Sequence, residues 1–150
     1  MALRPSAPPR ASKSTARPSN APPKKVILVV EDDAKIRELI ARALSGRYVV
    51  HQAADGLAAA ELVDQMRAVD LIICDVAMPR ADGLTFVRTL KRDRGFASVP
   101  VIFVSARGEP DDVVRGIAAG ARHYLVKPFS LQELLDRVAK AIGRSSEPPK

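Results

Sequence analysis

The chain has 150 residues, 47% of them hydrophobic, a formal charge of +7 and a single cysteine. That length allows one domain plus a tail, with enough apolar content for a real core. The lone cysteine excludes an intrachain disulfide and permits a reducing compartment. The longest apolar runs, Val26–Val30 and Val99–Val104, are too short to span a bilayer. No apolar stretch follows the first basic residue as a secretory leader requires, so the expected location is cytoplasmic.

The positive charge is not spread evenly. Residues 1–25 carry Arg4, Arg10, Lys13, Arg17, Lys24 and Lys25 and no acid, while residues 144–150 hold Arg144 and Lys150 against Glu147. The stretch between them is electrically balanced, so the basic character belongs to the two ends. Residues 1–23 also contain six prolines mixed with Ala, Ser and Arg. Such a segment cannot bury enough surface to offset its ordering entropy and is expected to be a disordered tail. Three parts follow: a basic Pro/Ala/Ser-rich tail over 1–23, a folded domain over 24–143, and a short tail over 144–150.

From Lys25 onward, short apolar runs alternate with helix-like stretches. Val26–Val30 has the β-branched continuity of a strand buried on both faces. Asp33 can cap a helix over Ala34–Leu44, with Ile36, Leu39, Ile40 and Ala43 as its apolar stripe. Tyr48–Ala53 reads as a second strand, and Gly56–Met66 as a second helix capped by Asp55. Leu71–Cys74 is a third strand, followed by a loop containing Met78, Pro79 and Gly83; Asp82 and Gly83 suit the turn into the next helix. That helix, Leu84–Arg92, separates an apolar face from a basic one. Val101–Val104 is a fourth strand, Asp111–Ala119 a fourth helix ended by Gly120, and Tyr124–Val126 a short fifth strand. Ser130 with Glu133 forms a capping box for the last helix, which Gly143 is expected to close. Five βα units with short links predict an α/β domain: a five-stranded parallel sheet, doubly wound with helices on both faces.

In an open sheet of this kind, ligands bind beyond the carboxyl ends of the strands. Four strands deliver chemistry there: Glu31, Asp32 and Asp33 after the first, Asp75 after the third, Ser105 after the fourth, Lys127 after the fifth. Crowded carboxylates repel one another unless a cation joins them, and all-oxygen ligands suit a hard ion such as Mg²⁺ rather than zinc. A carboxylate beside a metal, a lysine and a hydroxyl is equipped for phosphoryl transfer: Asp75 attacks, metal and Lys127 neutralise the phosphoryl oxygens, and the hydroxyl donates a hydrogen bond.

The motifs VVEDD (29–33), CDVAMPRADG (74–83), VSA (104–106) and YLVKPF (124–129), in this order and over about residues 25–143, resemble the response-regulator receiver family of two-component signalling, here of the stand-alone, single-domain type. The resemblance implies a flavodoxin-like (βα)5 fold with strand order 2-1-3-4-5, which brings Asp32 and Asp75 side by side. It implies Asp75 as phosphoacceptor, with Mg²⁺ or Mn²⁺ held by Asp32, Asp75, the backbone carbonyl of Ala77 and, mostly through water, Glu31. Ser105 stands at the hydroxyl switch position and Tyr124 at its aromatic partner position. Lys127 pairs with the phosphoryl group, next to a cis peptide to Pro128. The implied donor is a phosphohistidine on a sensor histidine kinase or histidine phosphotransfer protein. The product is an acyl phosphate that later hydrolyses, in a phosphoacceptor protein rather than an enzyme. The phosphorylated state is then read at the fourth and fifth helices and strand five. Glu31 stands where Asp is more frequent. Ala77 and Arg107 occupy positions that tune dephosphorylation, and Ala77 has no side chain to position water.

Other readings compete with these. Asp33 and Asp55 are expected to be helix caps, Cys74, Phe86, Phe103 and Phe129 core residues, and Arg107 a solvated loop charge. His51 and His123 stand alone and are assigned no role. A receiver-fold adaptor working without phosphorylation would be expected to lack one of the acidic pair, Asp75, Ser105 or Lys127. A small-molecule phosphatase would need an acid two residues past the nucleophile, where Ala77 stands. Nucleic-acid binding has only the basic N-terminal tail to support it and is not expected. Only seven residues follow Gly143, so output is expected through contact with a downstream target protein or onward phosphotransfer, by a monomer or a phosphorylation-dependent dimer.

Overall fold

The computed structural model describes residues 23–66, 68–76, 83–92, 96–106 and 123–146. The strands are β1 (Val26–Val30), β2 (Val49–Ala53), β3 (Leu71–Asp75), β4 (Val101–Ala106) and β5 (His123–Lys127). The described helices are α1 (Ala34–Leu44), α2 (Gly56–Gln65), α3 (Gly83–Arg92) and α4 (Leu131–Ser146). All four strand pairings are parallel, and the order is β2-β1-β3-β4-β5, as the resemblance implied.

The central strands are apolar up to their carboxyl ends because both of their faces are covered. Along β1, Leu28 and Val30 join one core with Ile72, Cys74, Val101 and Phe103, against Ala59 and Val63 of α2 and Phe86, Val87 and Leu90 of α3. Ile27 and Val29 point into the opposite core with Leu71, Ile73, Ile102 and Val104, against Ile40 and Leu44 of α1 and Leu134, Val138 and Ala141 of α4. The two-residue alternation of strand side chains sorts every second residue to each face. Phe103 is fully buried and Phe86 nearly so, and Phe129 packs half-buried beside the second core, so all three are core residues as read.

The caps behave as their chemistry dictates. Asp33 Oδ1 accepts from the Lys35 and Ile36 amides at 2.9 and 3.2 Å, and Asp55 Oδ1 from the Ala58 amide at 2.8 Å. Ser130 and Glu133 exchange reciprocal 3.0 Å bonds, completing the capping box.

Three expectations need correction. Leu39 is not part of the buried stripe of α1; it is 48% exposed, and Ile40, Ala41 and Leu44 carry the burial. Gly143 does not end the last helix, which continues to Ser146. A helical glycine costs only about 1 kcal/mol, and the buried stripe through Leu134, Val138, Ala141 and Ile142 outweighs it. The third to fifth strands run further than their apolar runs: β3 includes Asp75, β4 Ser105 and Ala106, β5 His123 and Lys127. The helix expected over 111–119 lies outside the described residues, as do the tail over 1–22, Ala77, Asp82 and Arg107.

Candidate functional site

The carboxyl edge of the sheet gathers the predicted residues from three strands. Glu31 follows β1 and extends its ladder, its amide donating to the Ala53 carbonyl at 3.0 Å. Asp75 is the last residue of β3, in register with Val104, and Lys127 the last of β5, in register with Ala106. Glu31, Asp32 and Asp75 each offer a carboxylate oxygen within 4.8 Å of the other two. Lys127 Nζ lies 3.1 Å from Asp75 Oδ2 and 3.2 Å from Glu31 Oε1. Glu31 and Asp75 are buried and Asp32 is exposed, so the pocket is deep on one side and open to solvent on the other.

Burial disfavours the charged form of Glu31, and the neighbouring charge of Asp75 adds to it, so this carboxyl is pushed up to about 7. The Asp33 amide, which donates to Glu31 Oε2 at 3.1 Å, and the Lys127 ammonium work in the opposite direction without prevailing. For Lys127, burial disfavours the ammonium, but its hydrogen bond to Asp75 and the charges of Asp75 and Glu31 outweigh that and raise its pKa. Glu31 Oε1 is buried and has no hydrogen-bond donor; its contact with Lys127 is an ion pair without hydrogen-bond geometry.

That orphaned oxygen and the donor set together fit a divalent cation. Three carboxylates face one ammonium, leaving a formal charge of −2 when all are ionised. All donors are oxygen, the preference of Mg²⁺ or Mn²⁺. A buried carboxylate oxygen without a donor is costly, and a coordinated cation removes that cost.

Ser105 is buried on the same edge, at the end of β4 and in register with Val126. Tyr124 lies apart from the acids, about 10 Å down β5 from Lys127. Its ring packs against Phe103 with centroids 6.1 Å apart, and its carbonyl accepts a hydrogen bond from Arg137 of α4. The Lys127–Pro128 peptide bond is cis. Cys74 is fully buried in β3.

Two participants were missed in the sequence. Arg37 Nη1 of α1 donates to the Glu31 carbonyl at 2.9 Å. The signal was available: α1 has no acid in its first turn, and a cation there opposes the helix dipole unless it has another partner. Gly83, read as a turn residue, opens α3 directly against the acceptor strand. A Cβ there would stand 2.0 Å from the Asp75 carbonyl oxygen and 2.7 Å from Cys74 Sγ.

A five-stranded parallel sheet, helices on both faces and an acidic pocket at its carboxyl edge define a doubly wound α/β domain with a cation-competent site. Comparison with known proteins makes the class specific. The response regulator receiver domain family matches residues 27–139, and the chain belongs to that family. It is 37% identical over 124 residues to the DNA-binding dual master transcriptional regulator RpaA of Synechocystis sp., covering 82% of this chain and 51% of RpaA. It is 40% identical over 124 residues to the phosphate regulon transcriptional regulatory protein PhoB of Pseudomonas aeruginosa, covering 83% and 54%. The chain thus spans about half the length of these curated relatives. Among solved structures, chemotaxis protein CheY4 of Vibrio cholerae matches with a TM-score of 0.74 and 31% identity over 79% of this chain and 98% of CheY4. The receiver domain of NtrX from Brucella abortus matches with a TM-score of 0.72 and 29% identity over 78% and 98%. Among the described residues, no helix is long and apolar enough to cross a membrane.

Proposed function

We propose that the protein is a phosphorylation-dependent signalling switch whose acceptor is Asp75. The observation that carries this reading is the juxtaposition of Asp75 with Glu31, Asp32 and Lys127 at the carboxyl edge of a receiver sheet. Asp32, Asp75 and Glu31 would hold a Mg²⁺ or Mn²⁺ ion, with the Ala77 carbonyl as a further ligand. Bound there, the cation neutralises charge on the phosphoryl oxygens and on the crowded acids.

A carboxylate oxygen of Asp75 attacks the phosphorus of a phosphohistidine on a sensor histidine kinase or phosphotransfer protein. The P–N bond breaks as the P–O bond forms, giving an acyl phosphate and free histidine. Lys127, already 3.1 Å from Asp75 Oδ2, is placed to neutralise a phosphoryl oxygen, and Ser105 to donate a hydrogen bond to another. Water later hydrolyses the acyl phosphate, resetting the switch. Phosphorylation biases a two-state equilibrium in which Ser105 and Tyr124 take part, read by a downstream target or passed onward in a relay, in the cytoplasm and by a monomer or phosphorylation-dependent dimer. The receiver unit runs from about residue 24 through the last helix to Ser146, with the basic segment 1–23 as a tail before it.

The test is incubation with Mg²⁺ and acetyl phosphate followed by intact mass, beside Asp75→Asn. A gain of one phosphoryl group, about 80 Da, in the wild type alone is expected. An unmodified wild-type chain that is folded and metal-bound refutes the reading.

A further inference from the structure

We propose that Arg37 is a positioning residue for the cation site, holding the peptide that joins its two adjacent acids. The inference rests on the reading of that site as a Mg²⁺-dependent phosphoacceptor.

Glu31 and Asp32 follow the end of β1, so little of the sheet ladder remains to hold them. On the amide side, the Glu31 N–H still pairs with the Ala53 carbonyl at 3.0 Å. On the carbonyl side, the Glu31 oxygen receives the Arg37 guanidinium at 2.9 Å. That oxygen belongs to the peptide unit linking Glu31 to Asp32. Because the unit is planar, fixing its C=O direction also fixes the direction in which the Asp32 Cα departs. The exposed Asp32 carboxylate is thereby aimed from the main chain towards Glu31 and Asp75.

The anchor for Arg37 is itself rigid. Its amide donates to the Asp33 carbonyl at 2.8 Å in a helix whose N-terminus Asp33 caps twice. Strand end, cap and first helical turn thus form a closed loop around the acidic pair, with the Arg37–Glu31 bond as its clasp. The bond is charge-assisted and half-buried, the kind that holds geometry best. Groups that brace a metal's ligands typically change affinity by about 10- to 100-fold when removed. A main-chain brace belongs at the lower end.

The experiment uses the full chain and Mg²⁺ alone. The chain has no tryptophan, so binding is read by isothermal titration calorimetry and by the Mg²⁺-induced rise in melting temperature. Arg37→Ala is expected to weaken Mg²⁺ binding about tenfold and to shrink the metal-induced rise. Arg37→Lys, which keeps a cationic donor on a shorter reach, is expected to recover binding to within about threefold of wild type. A merely structural role would lower the metal-free melting temperature and leave the metal-induced rise unchanged. If Arg37→Ala does not fold, Arg37→Met keeps the apolar stem and takes its place with the same expectation. A folded Ala or Met variant that binds Mg²⁺ within twofold of wild type overturns the proposal while leaving the phosphoacceptor reading intact. A wild type that binds no Mg²⁺ overturns both.

Discussion

Glu31 gives the sharpest prediction, because its burial sets stability against metal binding. Its carboxyl titrates at about 7 in the fold against 4.5 in the unfolded chain. The folded state therefore holds the proton more tightly. Stability from this group is fully present below pH 4.5 and is lost as pH rises through 7. At about 1.36 kcal/mol per pKa unit, the loss approaches about 3 kcal/mol by pH 8. The side chain is 2% exposed, so solvent screening does little to reduce it. For a domain of this size, about 3 kcal/mol corresponds to roughly 10 °C in melting temperature. Thermal unfolding in EDTA from pH 5 to pH 8.5 should show this decline, and Glu31→Gln should flatten it. Saturating Mg²⁺ should oppose it, because binding favours the ionised form; apparent Mg²⁺ affinity should rise between pH 6 and pH 8, with roughly half a proton released per ion near pH 7. A wild-type melting temperature in EDTA that does not fall across this range, or a Glu31→Gln variant that keeps the full slope, refutes the assignment.

Gly83→Ala forces a methyl to within 2.0 Å of the Asp75 carbonyl oxygen. Urea denaturation should show a loss of about 1–3 kcal/mol, and the shift of β3 should slow phosphorylation by acetyl phosphate. Lys127→Ala removes the ammonium from both Asp75 and Glu31; phosphoryl gain should slow at least about 100-fold, while Mg²⁺ binding persists, as mass spectrometry and calorimetry can check separately. Asp33→Ala removes two amide bonds from the α1 cap and should cost about 1 kcal/mol in chemical denaturation.

The architecture was legible because burial on both faces leaves a strong mark. Val26–Val30 and Leu71–Cys74 are uninterrupted apolar runs, and the capping residues Asp33, Asp55 and Ser130 punctuate the helices between them. Where the apolar signal stops, however, the strand does not. Asp75, Ser105 and Lys127 are still in the ladder, since backbone pairing is indifferent to whether a side chain is apolar. The misplaced end of the last helix has a similar cause. Gly143 looks like a stop, but α4 is held by the apolar stripe packed on the sheet rather than by propensity. Arg37 and Gly83 escaped because they act on main-chain atoms of distant elements. A missing Cβ leaves no pattern of spacing to read, and the one sign of Arg37, a cation in a first helical turn without an acid, does not name its partner.

The same features show why the acids can be crowded at all. Ionising Glu31 is costly first because the carboxyl is buried and second because Asp75 stands beside it, and about 3 kcal/mol is a large share of the roughly 5–15 kcal/mol that holds a domain together. The fold meets that cost with two apolar cores remote from the charge, and with a doubly bonded α1 cap and the Arg37 clasp beside it. Lys127 relieves part of the repulsion but bonds Asp75, the group that must attack. A cation on the orphaned Glu31 oxygen would take over that neutralisation and free the ammonium for an incoming phosphoryl oxygen. Metal binding and acceptor reactivity are then coupled through Lys127, and the coupling has a signature. In Lys127→Ala, Mg²⁺ should raise the melting temperature by more than in wild type, since the ion then relieves repulsion that no ammonium shares. An equal or smaller rise would show that Lys127 and the cation do not substitute for one another.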